Sequence, residues 1–396
     1  MLCLVAAFEI QAQVVIPVLR SIADEGGHGI TDKSGYYVGT ILYLTYTFMN
    51  FLIPPVIAKI GPKWAMVAGM LCYVIYMLGF LHVEGWLLYS LSALLGLGAA
   101  LLWTSCGVNL VRISEEKNVA RNSAILWTTV QFSLIVGAAF LIIVLRSEEL
   151  SKSYRVIYMA CAVLGLVGAG IIALMPTPQL RRGSSSSDAS ADSNLSVLNA
   201  FEDTFRLLKT KEMMLLCVVF FFNGFQTVFF GAMYTASLAA TTRMDSHEIA
   251  IAYAMLAIGA GEFCAGTFFG ISGNSRGSQF GRKRVAVIGT CLLLVANILS
   301  IINLPPDAPL HETDNIGFIE PSLWIALFVA FLLGLADCCW QTQTYTILGG
   351  MYKDEQSPPA FALFRCFQAL STSIGCFIAP QFELYWTLLM TSYRGG

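Results

Sequence analysis

Charge is what this chain has least of. Asp, Glu, Lys and Arg make up 12% of its 396 residues, about half the share carried by a soluble globular domain. The formal net charge is −2, and the longest basic run is Arg282-Lys283-Arg284, so nothing here supports electrostatic binding of nucleic acid. Histidine is rarer still. His28, His82, His247 and His311 stand alone in stretches that read as loops, where solvated residues are a simpler reading than pH sensors. No nucleophile, base and orienter can be assembled, which argues against an enzyme. Spaced cysteines are missing too: all eleven fall in apolar runs, and Cys338 and Cys339 are adjacent rather than spaced for tetrahedral ligation. They read as small packing residues, and no disulfide framework, metal site or cofactor is expected. The absence of period-two alternation excludes a β-barrel.

What is present is apolar sequence, 56% of the chain, with a mean hydropathy of +0.69. It falls in runs of about 18 to 25 residues, the length needed at 1.5 Å per residue to cross a bilayer core of about 30 Å. The fold class is therefore an all-α polytopic membrane protein, with the lipid bilayer as its first partner. Eleven spans are predicted at roughly 2–19, 36–58, 64–82, 86–111, 123–145, 155–175, 213–240, 249–271, 284–304, 322–348 and 360–380. The first has neither a basic leader nor a small-residue cleavage site and reads as a span, not a signal peptide. It is short, because Gln11 stands ten residues in while its apparent counterpart Gln226 stands fifteen residues beyond Lys211. After the eleventh span, Gln381 to Gly396 cannot hold a full twelfth. The pattern predicts a twelve-helix protein clipped slightly at the start and more at the end; a natural eleven-span protein is the alternative.

Two stretches repeat. Leu94-Leu95-Gly96-Leu97, Trp103 and Gln131 are matched by Leu332-Leu333-Gly334-Leu335, Trp340 and Gln368. The Trp and Gln pairs are separated by one common interval and the quartets by one residue more, which implies two copies of one unit. The copies are 1–176 and 213–396. Between them, 177–212 forms a Ser-rich flexible linker that includes an amphipathic helix, with Leu198, Phe201, Phe205 and Leu208 opposite Glu202, Asp203, Arg206 and Lys209. It is expected to lie on the membrane face. Counting Lys and Arg in the short loops, fifteen fall on the side of the N-terminus and seven, Arg20 and Arg155 among them, on the other. The N-terminus and the linker are therefore expected in the cytoplasm.

The informative polar residues lie in mid-span: Glu9 with Gln11 and Gln13, then Glu262, Asp337 and Arg365. Charge there is costly unless it faces a cavity or a partner. Two readings stand: Asp337 and Arg365 neutralise each other within the packing, or Glu9, Glu262 and Asp337 form proton or cation sites along a central cavity. Gln341, Thr342, Gln343 and Thr344 follow Trp340 as Thr104 and Ser105 follow Trp103. Polar residues beside an aromatic suit a solute pocket and equally suit interhelical hydrogen bonds. Gly259-Ala260-Gly261 and Gly266 with Gly270 are better explained by close helix packing than by a dinucleotide loop. The repeat is broken where it matters, since Asp337 stands where the first copy has Ala99 and Ala100, and Gln341 and Gln343 where it has Thr104 and Cys106.

The loop Ala58-Lys59-Ile60-Gly61-Pro62-Lys63 and its counterpart Gln279-Phe280-Gly281-Arg282-Lys283-Arg284 resemble the inner-loop signature of the major facilitator superfamily. That superfamily is built of two parallel six-span repeats. The first copy lacks the signature's acidic residue and Gly-Arg-Arg core, which latch the inner gate. Leu94 to Thr104, Asn122-Ser123, Gly261 to Gly270 and Phe331 to Gln343 together resemble the Unc-93-like family of ion channel regulatory proteins. The resemblance covers nearly the whole chain. It implies a major facilitator fold of two six-helix pseudo-repeats, with Gly61, Lys63, Gly281, Arg282, Lys283 and Arg284 as the gating motif. It further implies a regulatory or trafficking role toward an ion channel or receptor. The alternative is a secondary transporter of a small organic solute, with candidate pathway residues Glu9, Gln11, Trp103, Glu262, Asp337, Trp340, Gln341, Gln343 and Arg365.

Overall fold

The computed structural model describes residues 2–24, 26, 29–113, 119–145, 150–175, 204–244, 247–273, 282–352, 357–381 and 384. Among them the regular structure is helical, and the only pairing of extended backbone is an isolated bridge between Thr241 and Thr313. The first copy holds α1 (Leu2–Asp24), α2 (Ser34–Ile60), α3 (Pro62–Gly79), α4 (Gly85–Ile113), α5 (Val119–Leu145) and α6 (Leu150–Leu174). The second holds α7 (Lys211–Ala240), α8 (His247–Gly273), α9 (Arg282–Asn303), α10 (Leu323–Met351) and α11 (Ser357–Ile378). Nine of these, α2 and α5 excepted, contain a described stretch long and apolar enough to cross a membrane. A backbone with all its N–H and C=O groups paired within the segment is what lipid requires.

The eleven helices fall where the apolar runs predict them, with two differences. α1 continues through Pro17 to Asp24, past the end of the predicted 2–19. Its last turns are held by packing, with Val18 and Leu19 buried, which offsets the hydrogen bond that proline removes. As a result Arg20 is not a loop residue but a buried one, and Arg155 likewise lies inside α6. α7 is interrupted by a π-helical turn at Phe229–Met233, which sequence periodicity does not reveal. The Ser-rich stretch and the first half of the expected amphipathic helix, within 177–203, lie outside the described residues, as do 382–383 and 385–396, where the start of a twelfth span was expected. Residues 204–208 are helical, with Leu207 buried against Met213 and Phe364 and Phe205 exposed on the other side.

The repeat is visible in the packing. In the first copy α2 packs on α4, α3 on α4 and α1 on α5; in the second α8 packs on α10, α9 on α10 and α7 on α11. The copies join through α2 with α11 and α5 with α8, two seams that exchange under the internal symmetry. The duplicated LLGL quartet marks one of these equivalent packings. A Cβ on Gly96 of α4 would overlap the Leu42 carbonyl of α2, and a Cβ on Gly334 of α10 would overlap the Ile258 carbonyl of α8. Only glycine lets the backbones come this close.

The two copies are also tied at the end of the bundle that carries the α1–α2 and α9–α10 connections. Arg20 donates from Nη2 to the Pro309 carbonyl (3.0 Å), and Tyr36 donates its hydroxyl to the same oxygen (3.2 Å). Ser373 of α11 donates to the Thr40 carbonyl of α2 (2.8 Å). The α9–α10 connection is itself folded, with Asn303 making both amide bonds to the backbone of Ser322. Thr313 and Asn315 both donate to Asp307 Oδ2 at 2.8 Å.

Candidate functional site

The closest approach of α8 and α10 sets up the site. A Cβ on Gly261 would overlap the Phe331 carbonyl and lie 3.0 Å from Leu335 N. One residue past that contact is Glu262, 3% exposed, and two residues past Leu335 is Asp337, 4% exposed. α1 reaches the same region through Gly137 of α5, where an added Cβ would lie 2.9 Å from Ile10 Cγ1 and 2.8 Å from Met255 Cε of α8. That places Glu9 beside them, and the charges of Glu9, Glu262 and Asp337 are near enough to act on one another. Three carboxylates from α1, α8 and α10 thus gather where the copies meet. Gln341 stands one helical turn past Asp337 on the same face of α10, and among the described residues Asp337 makes no ion pair with Arg365.

Arg365 points elsewhere. Its Nη1 donates to Gln368 Oε1 (3.0 Å), its guanidinium stands 5.2 Å from the Phe364 ring centre, and its charge reaches the hydroxyls of Tyr43 and Tyr46 on α2. The two repeated tryptophans face equivalent helix pairs, α3–α4 and α9–α10. Trp103 of α4 lies near the Tyr73 hydroxyl of α3, and Trp340 of α10 lies against Gly289 of α9, 3.2 Å from where its Cβ would stand. Gln11 donates to the Tyr76 hydroxyl (3.3 Å) and so faces α3. Gln343 is buried with Oε1 lacking a hydrogen-bond partner, six residues past Asp337 and so on a different face of α10. Gln13, by contrast, lies one turn past Glu9 on the same face of α1. It is 3% exposed, and its Oε1 also lacks a partner.

Three tyrosines complete the surroundings and were not anticipated. Tyr43 and Tyr73 lie within range of the Glu9 charge, Tyr73 packs edge-on against Phe8 with ring centres 5.3 Å apart, and Tyr46 adjoins Asn50. Asn50 in turn accepts from Thr104 of α4 (3.3 Å). The signal was present in the sequence: Tyr43, Tyr46 and Asn50 recur at intervals of three and four, a polar stripe within an apolar helix. Of the gating motif, Gly61 has a positive φ of 79° and separates α2 from α3. Lys63 donates to the Met175 carbonyl at the end of α6, and Arg284 is exposed. Gly281 and the side chains of Arg282 and Lys283 lie outside the described residues.

Comparison with known proteins gives one consistent answer. Residues 26–394 match the family model described as ion channel regulatory protein UNC-93. The chain is 32% identical to the UNC93-like protein MFSD11 of Xenopus laevis, over 97% of this chain and 88% of that protein. It is 26% identical to the protein unc-93 homolog A of Danio rerio, over 93% and 83%. Among solved structures it is similar to a POT family transporter in complex with 5-aminolevulinic acid (TM-score 0.70, 12% identity, 99% of this chain and 91% of that one). It is likewise similar to a point mutant of the nucleoside transporter NupG (TM-score 0.68, 12% identity, 99% and 94%). At such identities the likeness speaks for the fold, which is that of the major facilitators.

Proposed function

Because the chain belongs to the UNC-93 family of ion channel regulatory proteins, we propose that it acts as a regulatory or trafficking subunit, binding an ion channel or receptor within the membrane. It is a multi-pass membrane protein of major facilitator fold, and the family and fold are those of regulatory and transport proteins rather than enzymes. The match of the family model over residues 26–394 carries the reading. We place the N-terminus and the 177–212 linker in the cytoplasm, from the excess of Lys and Arg on that side. The copies are 1–176 and 213–396, and the exposed apolar faces of α6 and α9, including Val163, Ile171, Val287 and Val295, are available to lipid or to a partner's helices. The test is crosslinking and mass spectrometry on the full chain purified from its native membrane, beside an uptake screen in vesicles. A stoichiometric channel or receptor partner with no uptake is the expected result; solute uptake with no partner would overturn it.

The second reading, a proton-coupled secondary transporter of a small organic solute, is favoured by one observation. Acidic side chains from both copies gather at their junction, which is where transporters of this architecture bind solutes. Glu9, Gln11, Trp103, Glu262, Asp337, Trp340, Gln341, Gln343 and Arg365 are the pathway candidates, and Gly61, Lys63, Gly281, Arg282, Lys283 and Arg284 the gate. On this reading, neutralising Glu262 and Asp337 singly changes flux or its pH dependence in reconstituted vesicles.

A further inference from the structure

The junction between the two copies holds buried acceptor oxygens that no described residue satisfies. Glu9, Glu262 and Asp337 are mid-span carboxylates with no ion pair among the described residues. Glu262 Oε2 and Asp337 Oδ1 are each fully shielded and without a hydrogen-bond partner. Gln13, on another helix and 3% exposed, presents a third such oxygen on the Glu9 face of α1. A buried polar atom left unpaired is destabilising, and more so when it is charged. What would satisfy these atoms has N–H or O–H groups to donate and positive charge to balance the carboxylates.

From this we propose that the α1–α8–α10 junction is a binding site for a small organic cation bearing a primary ammonium or guanidinium group. A bare metal ion fits poorly, because no three His, Cys, Asp or Glu side chains among the described residues are close enough to hold one. An organic cation bridges wider gaps, with several N–H donors directed at separate acceptors. The surrounding side chains suit its carbon part. Phe8, next to Glu9 in the chain, packs edge-on against Tyr73, and the Tyr43 and Tyr73 hydroxyls lie within range of the Glu9 charge, aromatic surroundings that favour a desolvated cation. Arg365 does not compete for the carboxylates, since it is engaged by Gln368 and the Phe364 ring. The site belongs to the folded chain whether or not the ligand is carried across, so binding rather than flux is the proper readout.

The test uses the purified full chain in detergent and three probes: tyramine, its neutral counterpart tyrosol, and trimethylated tyramine, which keeps the charge and loses the N–H donors. Tyramine is expected to bind by calorimetry and to raise the melting temperature. Tyrosol is expected to do neither, and the trimethylated probe to bind at least tenfold more weakly. Glu262→Gln and Asp337→Asn are each expected to weaken tyramine at least tenfold, with Leu71→Ala, on the exposed side of α3, close to the unaltered protein. Should the carboxylate variants not fold, the unaltered protein decides through labelling by dicyclohexylcarbodiimide, read by mass spectrometry. Tyramine is expected to protect Glu262 and Asp337 at least threefold and tyrosol not at all. The proposal is overturned if tyramine does not bind, if tyrosol binds equally well, or if neither the variants nor the labelling connect tyramine to these carboxylates.

Discussion

Replacing Gly334 with alanine asks whether the duplicated LLGL quartet is a packing device. The new Cβ would overlap the Ile258 carbonyl oxygen and lie 2.9 Å from the carbonyl carbon and 3.1 Å from Cα of the same residue. All three obstacles are backbone in the middle of α8, so no side chain can rotate away. Forcing extra volume into such a seam costs about 1–3 kcal/mol, and the upper part of that range applies where only a helix shift relieves the clash. Alanine recovers about 1 kcal/mol of helix propensity, leaving a net loss of about 1–2 kcal/mol. Gly96→Ala meets the Leu42 carbonyl, Thr45 Cβ at 2.8 Å and Tyr46 N at 3.1 Å, and the same loss is expected. Gly170 of α6 is the control, because nothing lies within 4 Å of its added Cβ and it is exposed. Gly170→Ala is expected to be neutral or stabilising by up to about 1 kcal/mol. Thermal unfolding of the three variants in one detergent, followed by tryptophan fluorescence, should rank Gly170→Ala at or above the unaltered protein and the other two below it. The two losses should add, since the seams share no partner. If Gly334→Ala melts together with Gly170→Ala, the seam is not as tight as described and the reasoning fails.

Two further outcomes follow from the connection that closes one end of the bundle. Asn303→Ala removes both amide bonds to Ser322, at 2.8 and 3.1 Å. It is expected to cost about 1–3 kcal/mol and to expose 304–322 to limited proteolysis that leaves the unaltered protein uncut. Tyr36→Phe removes one of the two donors to the Pro309 carbonyl and is expected to cost about 1 kcal/mol. Because Arg20 shares that acceptor, a double-mutant cycle of Tyr36→Phe with Arg20→Met should show coupling of at least about 0.5 kcal/mol; strict additivity would mean the shared bond does not form.

Much of the architecture was legible beforehand. Eleven apolar runs became eleven helices, and the quartets containing Gly96 and Gly334 became equivalent helix seams, because a glycine in an apolar helix has few uses besides close approach. The site was legible only in part. Glu9, Glu262 and Asp337 stand out in sequence because charge inside lipid is expensive, but nothing in the sequence says they meet. The pairing of Asp337 with Arg365, one of two readings suggested by their places on successive helices, is not made among the described residues, and Arg365 donates to Gln368. Adjacent rank along the chain does not fix which faces oppose. Trp103 and Trp340 lie near Tyr73 of α3 and Gly289 of α9, placements that spacing along the chain does not reveal. Tyr43, Tyr46 and Asn50 were passed over because tyrosine counts as apolar when only the length of a run is measured.

The sequence by itself determined that this is a helical protein of the membrane, built from two related copies. A bilayer leaves the backbone no alternative to pairing within each span, and the repeat is written in glycines and tryptophans whose spacing survives. Only the tertiary structure decided which polar residues become neighbours. A helix can turn any of its faces toward the centre, and the choice is made by where backbones can approach, at Gly137, Gly261 and Gly334. Those contacts bring Glu9, Glu262 and Asp337 from three distant helices to one junction.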